Sequence, residues 1–113
     1  MKITARHRDG ITILDCKGKI TIGVGDVALR NAVDEAVGAG SNNILVDLGG
    51  VTTMDSSGIG ELVSAYTSVS RSGGQLKLLD IPSKVADILQ ITQLVTVFEV
   101  LDDEEEAVAS FED

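Results

Sequence analysis

Tryptophan is absent from this sequence, and tyrosine, cysteine, proline and histidine each occur once among its 113 residues. Each scarcity closes off a class of function. Three aromatics in all give little platform for stacking bases, and a formal charge of −9 repels phosphate backbones, so the composition argues against a nucleic acid partner. Cys16 has no second cysteine with which to form an internal disulfide and no neighbouring histidine with which to share a metal, which favours a reducing compartment. His7 stands between Arg6 and Arg8 near the end of a strand and reads as a surface residue. A serine nucleophile needs a base beside it, and the helix-opening serines described below lack the Gly-x-Ser-x-Gly setting of a nucleophile elbow. The expectation is a protein that is not an enzyme and has no cofactor of its own. The first residues carry charge without the apolar run of a signal peptide, and nowhere do 18 apolar residues follow one another. A cytoplasmic protein with no direct membrane insertion is therefore expected.

What the chain does contain is a sufficient core. Apolar residues make up 43% of it, and its length suits one domain over residues 1–113. Seven of the 18 carboxylates fall in residues 102–113 and the body is nearly balanced, so protein partners are favoured. Residues 2–7 and 11–17 read as strands joined through Asp9-Gly10, a favoured hairpin dipeptide. Asp26 is placed to cap a helix whose apolar positions, Leu29, Ala32, Val33, Ala36 and Val37, recur at helical spacing until Gly38 and Gly40. The run Asn43-Ile44-Leu45-Val46-Asp47-Leu48 predicts a central strand, with residues 51–55 as a loop after it. Ile59, Leu62, Val63, Tyr66 and Val69 mark the buried face of a second helix, closed by Gly73-Gly74. Gln75 to Leu79 reads as a strand, Pro82-Ser83 opens a third helix, and Val95 to Leu101 is a further strand-like stretch. The acidic run Asp102 to Glu106 begins a terminal helix, whose dipole it complements. The order β-β-α-β-α-β-α-β-α predicts a single α/β domain, a mixed sheet of about four to five strands with helices packed on one face.

The most informative stretch is Val51-Thr52-Thr53-Met54-Asp55-Ser56-Ser57-Gly58-Ile59-Gly60. One reading is structural, because helix N-termini leave N–H groups unpaired and Asp or Ser commonly caps them. The other is functional: a serine hydroxyl at a positive helix end, beside two glycines that let another protein's backbone come close. Gly23-Val24-Gly25-Asp26 lacks the Gly-Lys-Ser/Thr that completes a phosphate loop. Asp47, Asp55 and Asp80 read as carboxylates with separate surface roles rather than a metal site.

These residues resemble the anti-sigma factor antagonist family, whose fold is called the STAS domain. The likeness covers nearly the whole chain. It is carried by Cys16-Lys17-Gly18-Lys19-Ile20-Thr21, Ile44-Leu45-Val46-Asp47-Leu48-Gly49-Gly50-Val51, Met54-Asp55-Ser56-Ser57-Gly58-Ile59-Gly60, Gly73-Gly74-Gln75-Leu76-Lys77-Leu78, and Val97-Phe98-Glu99-Val100 followed by acids. The resemblance implies a bind-and-release function. In that family the unphosphorylated domain binds an anti-sigma factor, itself a serine kinase, and so frees the sigma factor. The kinase brings ATP and magnesium, and a serine phosphatase reverses the mark. The phosphorylated position carries over to Ser56, and the partner-binding surface to Asp55, Ser56, Ser57, Gly58, Ile59, Gly60 and Thr21. Two departures stand out. Gly18-Lys19-Ile20-Thr21 replaces the family's Gly-Glu-Leu-Asp, removing two acids near the partner surface, and Gln93 stands where many relatives have Gly before a leucine, here Leu94. These leave open which kinase is the partner, and the oligomeric state is not fixed. The alternative is a STAS scaffold, or the cytosolic subunit of a membrane transport complex, without a phosphorylation switch.

Overall fold

The computed structural model describes residues 1–91 and 97–111. Asp9 and Gly10 both adopt positive φ, at 52° and 79°, as a tight hairpin demands, and they join β1 (Lys2–Arg8) to β2 (Ile11–Ile20) antiparallel. The chain then forms α1 (Asp26–Gly38), β3 (Asn43–Met54), α2 (Ser56–Arg71), β4 (Gln75–Leu79), α3 (Ser83–Ile91), β5 (Val100–Leu101) and α4 (Glu104–Ser110). The five strands lie in sequence order, with every pair after the first parallel. Among the described residues no helix is long and apolar enough to cross a membrane.

Leu14, Cys16, Ile20, Ile44, Val46, Leu48, Leu76 and Leu78 point to one side of the sheet, where they meet Leu29 and Val33 of α1, Leu62 and Val69 of α2, and Val85 and Leu89 of α3. This is the expected helix layer. Some of the intervening residues are apolar as well. Ile11, Ile13, Leu45 and Leu79 line the other side, and α4 covers them with Ala107 and Val108, followed by Phe111. A second, smaller layer therefore joins the one predicted. Lys77, buried in this layer, donates from Nζ to the Ser110 carbonyl at 2.8 Å and pairs with Glu99 at 2.6 Å. Arg6 and Arg8 pair with Glu104 at 2.7 and 2.8 Å, tying the edge strand to the start of α4.

Three boundaries differ from the sequence reading. Residues 51–54, predicted as loop, continue β3, because β2 runs on to Ile20 and supplies partners for them: Gly18 opposite Val51, Lys19 opposite Thr53, Ile20 opposite Met54. Asp26 is the first residue of α1 rather than its cap, a position held by Gly25. The last strand is only Val100–Leu101; Gln93, Leu94 and Val95 lie outside the described residues.

Candidate functional site

The extension of β2 and β3 ends at Ile20 and Met54, and the site is built where they stop. Asp55 turns the chain into α2 with an extended backbone, φ −109° and ψ −172°. Its Oδ1 accepts the Gly58 N–H at 3.1 Å, capping the helix, while its Oδ2 accepts the Ile22 N–H at 3.0 Å from the loop after β2. Its own N–H donates to the Ile20 carbonyl at 3.3 Å. One residue thus joins a strand end, a loop and a helix. The N–H groups of Ile22 and Gly58 stabilise the carboxylate and lower its pKa below the ordinary range.

Ser56 follows as the first residue of α2, exposed to solvent, with Ser57 half-buried behind it. The cap belongs to Asp55, so the Ser56 side chain is not needed to end the helix. Gly60 is exposed one turn on, and a Cβ built there would meet nothing within 4 Å. Gly58 is different. It is buried, and a Cβ there would collide with the Ile20 carbonyl and lie 2.7 Å from Met54 Cγ. Its missing side chain admits the chain's own β2 rather than another protein's backbone. Ile59, 6% exposed, is likewise a core residue. Of the predicted surface, Asp55, Ser56, Ser57, Gly60 and the half-buried Thr21 are reachable from solvent, and Gly58 and Ile59 support them from beneath.

Thr21 organises the neighbouring loop through its carbonyl, which accepts the N–H groups of Val24 at 3.0 Å, Gly25 at 3.1 Å and Asp26 at 3.4 Å. The Gly23 N–H goes to Asp26 Oδ1 at 3.0 Å. Every backbone donor from residue 22 to residue 26 is therefore engaged within the protein, which leaves none of these N–H groups free to receive a phosphate. Sequence reading did not find that this loop and the first turn of α1 display Ile22, Val24 and Val27 to solvent, 73%, 52% and 47% exposed. The available signal was three aliphatics set among glycines. Beside them an ion pair between Arg30 and Glu61 bridges α1 and α2.

The remaining candidates lie elsewhere. Asp47 feels Asp15 and Asp80, with burial the main cause of its raised pKa. Among the described residues no group of three His, Cys, Asp or Glu could hold a metal ion. Cys16 is 1% exposed, and burial pushes its thiol up to about 12. His7 is exposed on β1.

A family model described as the STAS domain matches residues 2–107. The anti-sigma F factor antagonist of Paenibacillus polymyxa is 26% identical over 113 residues, covering 99% of this chain and 96% of that protein. A crystal structure of a Thermotoga maritima protein assigned to the anti-sigma factor antagonists superposes with a TM-score of 0.90 at 27% identity, covering 98% of this chain and 95% of the other. The phosphorylated form of the Bacillus cell fate determinant SpoIIAA gives a TM-score of 0.75 at 18% identity, covering 96% of this chain and 98% of the other, a likeness of fold.

Proposed function

This chain belongs to the STAS domain family, and from that membership we propose that it is an anti-sigma factor antagonist switched by phosphorylation of Ser56. The unmodified protein binds an anti-sigma factor that is also a serine kinase, releasing the sigma factor. Phosphorylation ends that binding and a serine phosphatase restores it. Residues 1–113 act as one domain, in the cytoplasm, and the ATP and magnesium are the kinase's. The anti-sigma F factor antagonist of Paenibacillus polymyxa, matched over almost its whole length, supports the partner class.

The observation that carries the switch is the exposed Ser56 beside an Asp55 carboxylate whose two oxygens are already engaged. In the transfer, Ser56 Oγ bonds to the γ-phosphorus of ATP, the bond to ADP breaks, and the hydroxyl proton passes to a base of the kinase. The product adds about −1.5 to −2 charges. At the positive end of α2 an anion is favoured by about 0.3–1 kcal/mol, so the fold tolerates it. In a docked interface the phosphate and the neighbouring Asp55 carboxylate are both withdrawn from water, and a like-charged pair desolvated in this way costs several kcal/mol. Since about 1.4 kcal/mol is tenfold in affinity, eviction wins by about a hundredfold or more.

The test is to incubate the protein with the purified anti-sigma factor kinase and Mg·ATP and map the phosphate by mass spectrometry. A single phosphate on Ser56, absent from Ser56→Ala, is expected. A phosphate elsewhere, or none, rejects the switch; a stable complex with a membrane permease and no phosphate would move the protein to the transport branch of the family.

A further inference from the structure

Building on the assignment of Ser56, we propose that residues 22–27, the turn after β2 and the first residues of α1, are the apolar half of the docking surface, and that the kinase seats an apolar socket on Ile22, Val24 and Val27. Among the described residues four large apolar side chains are exposed, and three of them are here. They are not exposed through looseness. Hydrogen bonds to Thr21, Asp26 and Asp55 fix the backbone beneath them, so little ordering is needed when a partner covers them.

The occupant follows from size and position. A specific interface takes about 800 Å² from each partner, a patch roughly 30 Å across. This protein measures only 31 × 24 × 23 Å. The Ile22 N–H is bonded to the carboxylate of the residue next to Ser56, so an enzyme that takes the Ser56 hydroxyl into its active site also covers this loop. The carboxylates nearest the patch are engaged within the protein: Asp26 and Asp55 accept hydrogen bonds from the loop and helix backbone, and Glu61 is paired with Arg30. What Ile22, Val24 and Val27 themselves offer a partner is aliphatic burial.

The experiment compares wild type, Ile22→Ser/Val24→Ser and Val97→Ser as substrates of the purified kinase with Mg·ATP, at low and high salt. Val97 is the fourth exposed apolar residue, 37% exposed, and lies by Ser70 and Gly74 at the far end of α2. Serine keeps the Ile22 N–H, so the double variant should retain the circular dichroism and melting temperature of wild type. We expect its KM for the kinase to rise about tenfold or more from the lost aliphatic burial, with kcat unchanged and the ratio insensitive to salt. Val97→Ser should behave as wild type. A double variant phosphorylated on Ser56 with wild-type KM overturns this inference and leaves the Ser56 switch standing. A wild type that is never phosphorylated overturns both.

Discussion

Gly58 and Gly60 lie two residues apart in the first turns of α2, and replacing each by alanine should move stability in opposite directions. Both substitutions gain about 1 kcal/mol of helix propensity. At Gly60 nothing opposes the gain, since the added Cβ meets no atom within 4 Å. At Gly58 the Cβ would press on the Ile20 carbonyl, with Ile20 Cγ2 at 2.9 Å and Met54 Cγ at 2.7 Å. A side chain could rotate away, but a strand carbonyl cannot without disturbing β2. Overpacking of this kind costs about 1–3 kcal/mol, and backbone contact places it toward the upper end. The net change is a loss of about 1–2 kcal/mol for Gly58→Ala against a gain of up to about 1 kcal/mol for Gly60→Ala. In a domain of this size each kcal/mol moves Tm by about 4 °C. Urea unfolding should show the midpoints displaced to opposite sides of wild type with equal slopes. If Gly58→Ala matched or exceeded Gly60→Ala in stability, the close approach of β2 to the helix start would be refuted, and with it the geometry that presents Ser56.

Other outcomes follow from the same site. Ser56→Ala should change unfolding free energy by no more than about 0.5 kcal/mol, because the residue is exposed and Asp55 holds the cap; a larger loss in urea denaturation would give the serine a structural role. The Asp55 carboxylate, lowered by the N–H groups of Ile22 and Gly58, contributes stability that is fully present above the unfolded pKa of about 4 and is lost as pH falls through its lower folded value. The stability difference between wild type and Asp55→Asn should therefore be flat at neutral pH and shrink in acid. Hydrogen exchange at the Ile22 amide should accelerate in Asp55→Asn at pH 7, and unchanged protection would contradict the carboxylate bridge. Cys16, 1% exposed and with its thiol near 12, should resist alkylation at neutral pH until urea unfolds the chain; labelling in the native state would show that β2 opens locally.

Much of the fold was legible because its signals are local. Asp9-Gly10 announces a hairpin whatever surrounds it, and the apolar face of α2 repeats at the helical period from Ile59 to Val69. The end of β3 was not legible in this way. Gly49-Gly50 is a turn signal that masks the β-branched Val51, Thr52 and Thr53 after it, and only pairing with the far end of β2 makes this stretch strand, a tertiary fact. The placement of α4 depends on both faces of β2 and β3 being apolar, and short apolar runs do not say which neighbour covers each face. The site divides along the same line. Asp-Ser at the start of an amphipathic helix is a local pattern, so the place of Ser56 at the opening of α2 could be read directly. The bond from Ile22 to Asp55 spans 33 positions, and neither the bridge nor the aliphatic surface it presents is visible in the order of residues.

In the proposed switch, charge placed at Ser56 expels a bound protein. Titration calorimetry of the purified anti-sigma factor kinase against unmodified protein and against protein fully phosphorylated on Ser56 measures this directly. The prediction is a Kd about a hundredfold or more weaker for the phosphorylated form, with its melting temperature at or above that of the unmodified protein. Equal dissociation constants would contradict the mechanism.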